Sequence, residues 1–536
     1  MQLLTLFLPM CFIAVFLFSG QFKKASKGEV GRSVYLEGTR KEEKDSDFLL
    51  PVTSADFTKY MAETVAFLTD YLDNSDRYNV TTDKQPGFLS DILPQSAPLE
   101  PEKFCDIMKD LKTQIVPGPT HMQHKRFLAY YPAGCSYPDV IGCVIAAGLG
   151  VCGFTWDGCP ALAELEHLMV NWLCKALNLP ETFLFQGDVK DSPGGGSIQP
   201  SASDCILMSV VAARFQKIKT TITVSNESET DVLKRLVAYS SDLAHSSFQK
   251  ACTLAMIRCH AVESDENFSM RGDALEKRIK EDLGNGLIPR HVQGTLGTTA
   301  MCSFDNLTEV GNVAKKYGLW FHVDASYAGS TMICPQFRFF AKGIEMADSA
   351  SSGRGTRTPS KKRLKSTPPT TYTQYHEGSI DARDWGVALS RPFYGVRLWL
   401  LFRMYGSSGI QAFVRRLVSH AALFEELIKK DLRLEVVGER SLGLVCFKIR
   451  FKIRGSSKGE ENALTYGFVE DVNRSHKLMM TRAELRGTQI CRICTTHERS
   501  TEDDVYESRS MIQELLDEFL ESRMDHISMA HGNVHL

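Results

Sequence analysis

Apolar residues recur at three- and four-residue spacing in several parts of the chain, which is the pattern of amphipathic helices. The first such stretch runs from Phe57 to Leu72, and Ser54 is the predicted N-cap, with Asp56 in the first turn. A second helix is predicted to begin near Pro101. A third carries an apolar stripe over residues 162–173.

Short apolar runs bounded by polar residues alternate with these helical stretches. Residues 236–239 and 319–323 predict strands that are buried on both faces of a parallel sheet, with helices between them. The fold class is therefore α/β. Beyond Trp385, helices and strands such as 444–447 predict a smaller α+β domain.

Residues 350–371 interrupt this alternation. They are rich in Ser, Thr, Arg, Lys, Gly and Pro, and Leu364 is their only large apolar residue. We expect no buried strand here, because nothing in the segment supplies a core face.

Composition narrows the function classes. The 536 residues are 43% hydrophobic and carry a net charge of -2, with acidic and basic residues interspersed, which excludes a nucleic-acid binder with a clustered basic surface. The 15 cysteines are scattered and suit a reducing compartment. Cys491, Cys494 and His497 lack the fourth ligand of a closed zinc site, so no metal is predicted.

The first twenty residues are nearly all apolar from Leu3 to Phe18, without a basic segment before them. A classical signal peptide fits poorly. The lysines that follow, from Lys23 to Lys27, would leave the main body in the cytosol. We expect a cytoplasmic protein, with either a membrane anchor at residues 2–19 or a misassigned start codon.

Three polar elements are candidates for chemistry. The loop from Gly194 to Ser203 opens a helix, whose first N–H groups and the hydroxyls of Ser201 and Ser203 suit an anion such as phosphate. Asp324 ends a buried strand, where a carboxylate could hold a ring nitrogen protonated or could simply cap a helix. His245 follows another predicted strand, where it could be a catalytic residue or a histidine with a purely structural role.

Several long motifs resemble, in the same order, those of the group II pyridoxal-phosphate amino-acid decarboxylases, in the aromatic-L-amino-acid and histidine decarboxylase branch. They read GGGSIQPSASD, LVAYSSDLAHSS, GTLGTTAMCSFDN and LWFHVDASYAGS, with flanking stretches that include FLAYYPAGCSYP and GVCGFTWDGCPALAELEHLMVNWL. The resemblance runs from about Phe57 to Leu520.

This resemblance implies the type I fold of PLP-dependent transferases, with a mainly parallel sheet. The apolar run predicts a leader or anchor at 1–20, and the charged stretch after it predicts a linker at 21–54. The resemblance implies a helical dimerisation segment at 55–130, a large PLP-binding domain at 131–395 and a small domain at 396–525, which leaves a tail at 526–536. It also implies a homodimer that removes CO₂ from an aromatic L-amino acid or histidine. A heterodimer with an active relative is the alternative if the chain itself is not catalytic.

The resemblance also assigns roles to residues. The cofactor, pyridoxal 5'-phosphate (PLP), would be held by Ser201, Ala202, Ser203, His245, Thr299, Asp324 and Ala325. Substrate would contact Tyr130, Tyr131, Pro132, Ala133 and, from the neighbouring subunit, Phe154. His245 and Tyr372 would be catalytic, with Tyr375 as the competitor of Tyr372.

The family lysine that attaches the cofactor is missing. It stands in an Asn-Pro-His-Lys-Trp turn, and the equivalent ungapped position here is Thr356. Three interpretations remain open: a decarboxylase whose lysine segment is absent from this sequence, a non-catalytic paralogue that partners an active relative, and an aldehyde-forming oxidative deaminase. Met122, Ala133 and Pro200 also depart from the family and favour altered specificity.

Overall fold

The computed structural model describes residues 52–132, 134–186, 192, 194–352, 355–357, 382–450 and 458–531, together with two short strands near the N-terminus. These strands, β1 (Leu4–Leu8) and β2 (Cys11–Val15), pair with each other in antiparallel orientation. In the part of the chain that is described, no helix combines the length and the apolar character that a membrane span needs.

Three helices open the body of the chain: α1 (Ser54–Asp73), α2 (Phe88–Ile92) and α3 (Phe104–Asp110). The prediction of Ser54 as N-cap is wrong by one residue. Thr53 caps α1, because its hydroxyl accepts the N–H of Asp56 and the Asp56 carboxylate accepts the N–H of Thr53. The second predicted helix begins at Phe104 instead of near Pro101.

The large central part of the chain alternates helices and strands. In chain order these are α4 (Tyr137–Leu149), α5 (Pro160–Ala176), β3 (Gly196–Ile198), α6 (Ala202–Val224), α7 (Glu229–Leu233), β4 (Leu236–Ser241), α8 (Ser246–Leu254), β5 (Arg258–Val262), α9 (Gly272–Gly284), β6 (Ile288–Thr295), α10 (Leu307–Tyr317), β7 (Trp320–Asp324), β8 (Ser349–Ser352) and β9 (Gly355–Arg357).

These strands form one seven-stranded sheet in the order β3-β9-β8-β7-β6-β4-β5. Strands β4 to β8 are parallel, and only β9 runs antiparallel to its neighbours β8 and β3. The predicted α/β class with a mainly parallel sheet is confirmed. One row of paired residues crosses five strands: Ser197, Thr356, Ser351, Asp324 and Thr295.

The expectation that no buried strand could include residue 350 is wrong for the start of that segment. In β8, Ser349, Ala350 and Ser351 are all buried. Burial is tolerated because the hydroxyls have partners: Ser349 Oγ accepts the Trp320 Nε1–H at 2.8 Å and lies 2.9 Å from His322 Nδ1. Side chains that are small and hydrogen-bonded replace the apolar ones that the pattern would require.

Helix α6 covers the face of the sheet to which Asp324 points. Met208, Ala212 and Ala213 of α6 pack on Trp320 of β7. Trp320 and Asp324 are four residues apart in the same strand, and alternate residues of a strand share a face. The start of α6 and Asp324 therefore lie on one face of the sheet, both at its carboxyl edge.

The remaining elements build the predicted smaller α+β domain. They are α11 (Tyr394–Lys429), β10 (Leu434–Val436), β11 (Leu444–Ile449), α12 (Lys458–Arg474), β12 (Thr481–Leu485), β13 (Thr488–Cys494) and α13 (Glu502–His531). Their strands form an antiparallel sheet in the order β10-β11-β13-β12. Helix α11 is kinked at Gly406, whose φ of 63° and ψ of 167° are not helical.

Candidate active site

The loop before α6 is packed so closely that glycine is required at its start. A Cβ at Gly194 would lie 2.0 Å from the carbonyl oxygen of Thr182, well inside van der Waals contact. The loop then continues as β3, so its course is fixed by contacts with the residues after α5 and by the sheet. This rigidity positions the start of α6.

A buried ion pair holds β3 from the side. The Glu166 carboxylate accepts the N–H of Ile198 at 2.9 Å, and Arg391 donates to the Ile198 carbonyl at 2.5 Å. Arg391 and Glu166 are themselves 2.7 Å apart. Sequence reasoning missed both side chains, because they lie 32 and 193 residues from Ile198 and no spacing along the chain links them to it.

The start of α6 offers an anion site. Ser201 is the N-cap: its hydroxyl accepts the N–H of Asp204 at 3.2 Å and donates to the Asp204 carboxylate at 2.7 Å. Its hydroxyl is thus engaged within the helix. The N–H groups of Ala202 and Ser203 are among the first four of the helix, which lack intrahelical partners, and Ser203 is exposed. Ala202 and Ser203 therefore fit a phosphate better than the Ser201 hydroxyl does.

Asp324 is 5% exposed, and its carboxylate accepts hydrogen bonds through one of its two oxygens, Oδ1. The N–H and the hydroxyl of Ser326 reach Oδ1 at 3.1 and 2.5 Å, and the Ser351 hydroxyl lies 3.5 Å from the same atom. None of these three contacts uses Oδ2. Ala325, the next residue, is fixed by its N–H, which donates to the Ser351 carbonyl at 3.0 Å. Such a carboxylate fits a protonated ring nitrogen.

Two further predicted residues follow strands of the same edge. His245 comes after β4 and is the N-cap of α8, with Nδ1 2.7 Å from the Ser247 hydroxyl. Thr299 comes after β6, in a loop closed by the contact of 2.7 Å between the Thr298 and Ser303 hydroxyls. Both His245 and Thr299 are exposed, as ligand-binding side chains at a strand edge would be.

Tyr130 and Tyr131 lie between the two domains. Tyr130 has a φ of 56°, a strained conformation for a non-glycine residue, and its N–H donates to the Thr481 hydroxyl at 2.9 Å. The Tyr131 ring stacks on Tyr327 with 3.7 Å between ring centroids. Its hydroxyl donates to the Thr298 carbonyl at 3.3 Å. Tyr131 thus joins the loop that carries Thr299 to the segment that follows Asp324.

Comparison with known proteins agrees with this arrangement. The pyridoxal-dependent decarboxylase conserved domain matches residues 86–364 and 367–450. The chain belongs to the pyridoxal-dependent decarboxylase family. Its cofactor is accordingly PLP, and the residues at the two ends of the site, Ala202 with Ser203 and Asp324, fit the phosphate and the ring nitrogen of that cofactor.

Individual relatives place the chain within this family. Aromatic-L-amino-acid decarboxylase of Mus musculus is 38% identical over 457 residues, which are 82% of this chain and 93% of that protein. Histidine decarboxylase of Homo sapiens is 37% identical over 468 residues, or 84% and 69%. The structure of Oryza sativa TDC with PLP and tryptamine superposes with a TM-score of 0.83 at 30% identity, over 88% and 99%. The predicted type I fold is confirmed.

One side chain of this decarboxylase site was missed from the sequence. Arg492 of β13 is 3% exposed, and its guanidinium lies 4.9 Å from the centre of the Tyr131 ring. Its Nε and Nη2 are buried and have no hydrogen-bond partner within the described ranges. The strand pattern predicts a buried position here, but a buried arginine beside an aromatic ring is evident only once Tyr131 and Arg492 are seen together.

Burial also sets the protonation of the groups around the decarboxylase site. Desolvation lowers the pKa of His322 to about 3, which keeps its ring neutral. The pKa values of the Tyr131 and Tyr327 hydroxyls are raised well above the usual value by the same cause. Both tyrosines are therefore neutral and contribute stacked aromatic rings to the site.

The remaining predicted substrate residues are only partly placed. Pro132 is half-buried, and Phe154 is 38% exposed in the segment between α4 and α5. The reach of Phe154 into a neighbouring subunit stays a prediction. Ala133 and Tyr372 lie outside the described residues.

Proposed function

We propose that this chain binds PLP at the carboxyl edge of its large sheet and decarboxylates an aromatic L-amino acid or histidine to the corresponding amine. The observation that carries the proposal is the placement of Asp324 and the α6 start on one face and one edge of the sheet. The relatives named above act on substrates of this class, and the tyrosines at the domain boundary suit an aromatic side chain.

Each group of the site has a defined task in this proposal. When bound, PLP draws electrons from the bond that releases CO₂. Ala202 and Ser203 hold its phosphate through N–H groups and a hydroxyl. Asp324 binds the ring N–H through Oδ2 and keeps that proton in place, while His245 lies against the ring. Tyr130, Tyr131 and Pro132 orient the substrate, and Tyr372 returns a proton to Cα.

The residue at the family lysine position supports a second candidate function. Thr356 of β9 pairs with Ser351 and Ser197, in the same row as Asp324. A threonine cannot form an imine with the cofactor, and loss of a tethered amine forfeits an effective molarity that reaches about 10⁵ M. In this candidate the chain binds PLP without turning over substrate and acts as the partner of an active relative.

Titration of the purified full-length chain with PLP, followed by fluorescence quenching, tests the common part of both candidates. We expect saturable binding that Asp324→Asn weakens at least roughly tenfold, the loss expected for one hydrogen bond to a charged group. Asp273→Asn, an exposed position at the start of α9, is the control and should bind as the unaltered chain does. Absence of binding to the unaltered chain would overturn the proposal.

Product analysis separates the candidates. The chain is incubated with PLP and with L-tryptophan, L-tyrosine or L-histidine labelled at the carboxylate. Released CO₂ together with the amine supports the decarboxylase, and CO₂ together with an aldehyde supports the oxidative deaminase. PLP binding without CO₂ supports the non-catalytic partner. In that case Thr356→Lys should introduce the visible absorption of a cofactor imine.

The proposal includes a dimer in the cytoplasm. Helix α4 exposes Ile141, Val144, Ile145 and Leu149 to between 38% and 56%, which is unusual for large apolar side chains on the surface of a monomer. A second subunit would cover them. Attachment to a membrane through residues 2–19 is the alternative location, and it predicts that removing these residues releases the protein from the membrane fraction.

A further inference from the structure

A line of buried polar side chains runs behind Asp324, between α6 and the sheet. His322 and Asp324 of β7 and Ser349 and Ser351 of β8 all point to this side, since they alternate along their strands and pair in register. All four are at most 5% exposed. So many polar groups in a core are tolerated only when they bond to one another or to water.

Hydrogen bonds connect these side chains in sequence. Trp320 Nε1 lies 2.8 Å from Ser349 Oγ, which lies 2.9 Å from His322 Nδ1. On its other side, His322 Nε2 lies 3.5 Å from Ser351 Oγ, which lies 3.5 Å from Asp324 Oδ1. The first two contacts are short, and the last two are at the outer limit of hydrogen bonding.

The two ends of this chain fix the direction of its protons. The Trp320 N–H can only donate, and the Asp324 carboxylate can only accept. Ser351 therefore donates its hydroxyl to Asp324, and its oxygen accepts the Nε2–H of a neutral His322. Nδ1 of that ring is then an acceptor for the Ser349 hydroxyl, whose oxygen accepts the Trp320 N–H. In this arrangement each of the two hydroxyls accepts once and donates once, and each nitrogen of the His322 ring makes one hydrogen bond.

We propose that Trp320, Ser349, His322 and Ser351 form a one-way chain of hydrogen-bond donors that ends on Asp324 Oδ1, with His322 fixed as the Nε2–H tautomer. His322 and Ser351 are then positioning residues for Asp324. They add a donor to those of Ser326 on Oδ1 and leave Oδ2 directed to a ligand. Donors to a carboxylate stabilise its ionised form, which is the form that keeps a ring nitrogen protonated. This role for the chain rests on the proposed function.

The tautomer of His322 can be measured without any cofactor. The full chain is labelled with ¹⁵N-histidine, and the resonances of His322 are assigned by their loss in His322→Gln. We expect long-range ¹H–¹⁵N spectra at neutral pH to show a neutral ring protonated on Nε2. A ring protonated on Nδ1, or on both nitrogens, would overturn the donor chain.

The effect on Asp324 is measured as PLP affinity by fluorescence quenching. Ser351→Ala and His322→Phe should each weaken binding roughly tenfold. His322→Gln should rescue most of the loss, because its amide N–H can replace Nε2–H. The control is Ser209→Ala, which removes a buried hydroxyl on the same side of the sheet, 3.1 Å from His291 and outside the chain of donors.

The outcomes separate this inference from the function it rests on. If the unaltered chain binds PLP and Asp324→Asn does not, while Ser351→Ala and His322→Phe bind normally, the donor chain is refuted and the cofactor site stands. If the unaltered chain does not bind PLP, the proposed function falls, and the nitrogen spectra alone decide whether the donor chain exists. Circular dichroism of each variant excludes misfolding as the cause of a loss.

Discussion

Glu166 and Arg391 show how a buried ion pair supports the site. Both side chains are 3% exposed, and between them they bind the N–H and the carbonyl of Ile198, three residues before the Ser201 N-cap. Taking two charges out of water is costly, and only their mutual attraction and their hydrogen bonds offset it. The pair therefore makes β3 sensitive to loss of either partner.

Glu166→Gln should lower the free energy of unfolding by about 3–5 kcal/mol, because it leaves Arg391 as an uncompensated buried charge. Urea unfolding measures the change. The matched control is Asp139→Asn, whose partner Arg397 is 25% exposed. Asp139→Asn should lower the free energy of unfolding by about 1 kcal/mol or less, since solvent screens the ion pair between Asp139 and Arg397. Equal losses in the two variants would contradict the assignment of Glu166 and Arg391 as a desolvated pair.

Sequence reasoning at this scale found the residues that belong to motifs and missed the ones that support them. Ala202, Ser203, His245 and Asp324 stand in recognisable segments, and the structure brings all of them to one edge of the sheet. Arg492 has no such segment, because its significance depends on a contact with Tyr131, 361 positions earlier in the chain.

Among elements, those with long periodic patterns were predicted well and the shortest ones were not. The stripe at 162–173 lies within α5, and the apolar runs at 236–239 and 319–323 correspond to β4 and β7. Strands β3 and β9 have three residues each and contain Gly, Ser or Thr. Their pairing is decided by neighbouring strands, because so short and polar a segment has no strand preference of its own.

The kink of α11 gives a prediction at the scale of one element. Gly406 has φ 63° and ψ 167°, a conformation that side chains with a Cβ rarely adopt. Gly406→Ala should therefore lower the free energy of unfolding by about 1–3 kcal/mol. Gly409→Ala is the control in the same helix, because its new Cβ would lie 3.6 Å from Tyr405 Cβ, an ordinary van der Waals contact. It should be neutral, or stabilising by up to about 1 kcal/mol. Urea unfolding that ranks the two variants in the opposite order would rule out strain at the kink.

For the whole molecule, the exposed face of α4 tests the proposed dimer. We expect light scattering after size-exclusion chromatography to give the mass of a dimer for the full chain. Val144→Glu should shift the protein towards monomer, because it introduces a charge into an apolar contact. Leu432→Glu, at a position 88% exposed outside α4, should leave the mass unchanged. A dimer that withstands Val144→Glu would place the interface elsewhere.

Buried histidines predict how the stability of the whole molecule responds to acid. Desolvation lowers the pKa of His124 and His322 to about 3 and that of His497 to about 4. The pKa of histidine in the unfolded chain is near 6.5. Below that pH the unfolded chain therefore binds protons that the folded chain does not bind, and stability falls as the pH decreases. Asp305 opposes this trend, since burial raises its pKa to about 7 and the folded state then holds an extra proton.

These three histidines and Asp305 give a net excess of about two protons in the unfolded state between about pH 6 and 5. His121, His167, His291 and His420 add to it, because desolvation lowers their pKa values as well. The free energy of unfolding should therefore fall by at least roughly 3 kcal/mol per pH unit in this interval. Urea unfolding at several pH values measures the slope. His124→Asn removes one titrating ring while its amide oxygen can still accept the N–H of Arg126, as Nδ1 does at 2.9 Å. This variant should reduce the slope by about 1.4 kcal/mol per pH unit.

Two results would contradict this account. A slope unchanged by His124→Asn would mean that His124 is protonated equally in the folded and unfolded states. Greater stability at pH 5 than at pH 6 would mean that the buried Asp305 carboxyl, and not the histidines, governs the response to acid.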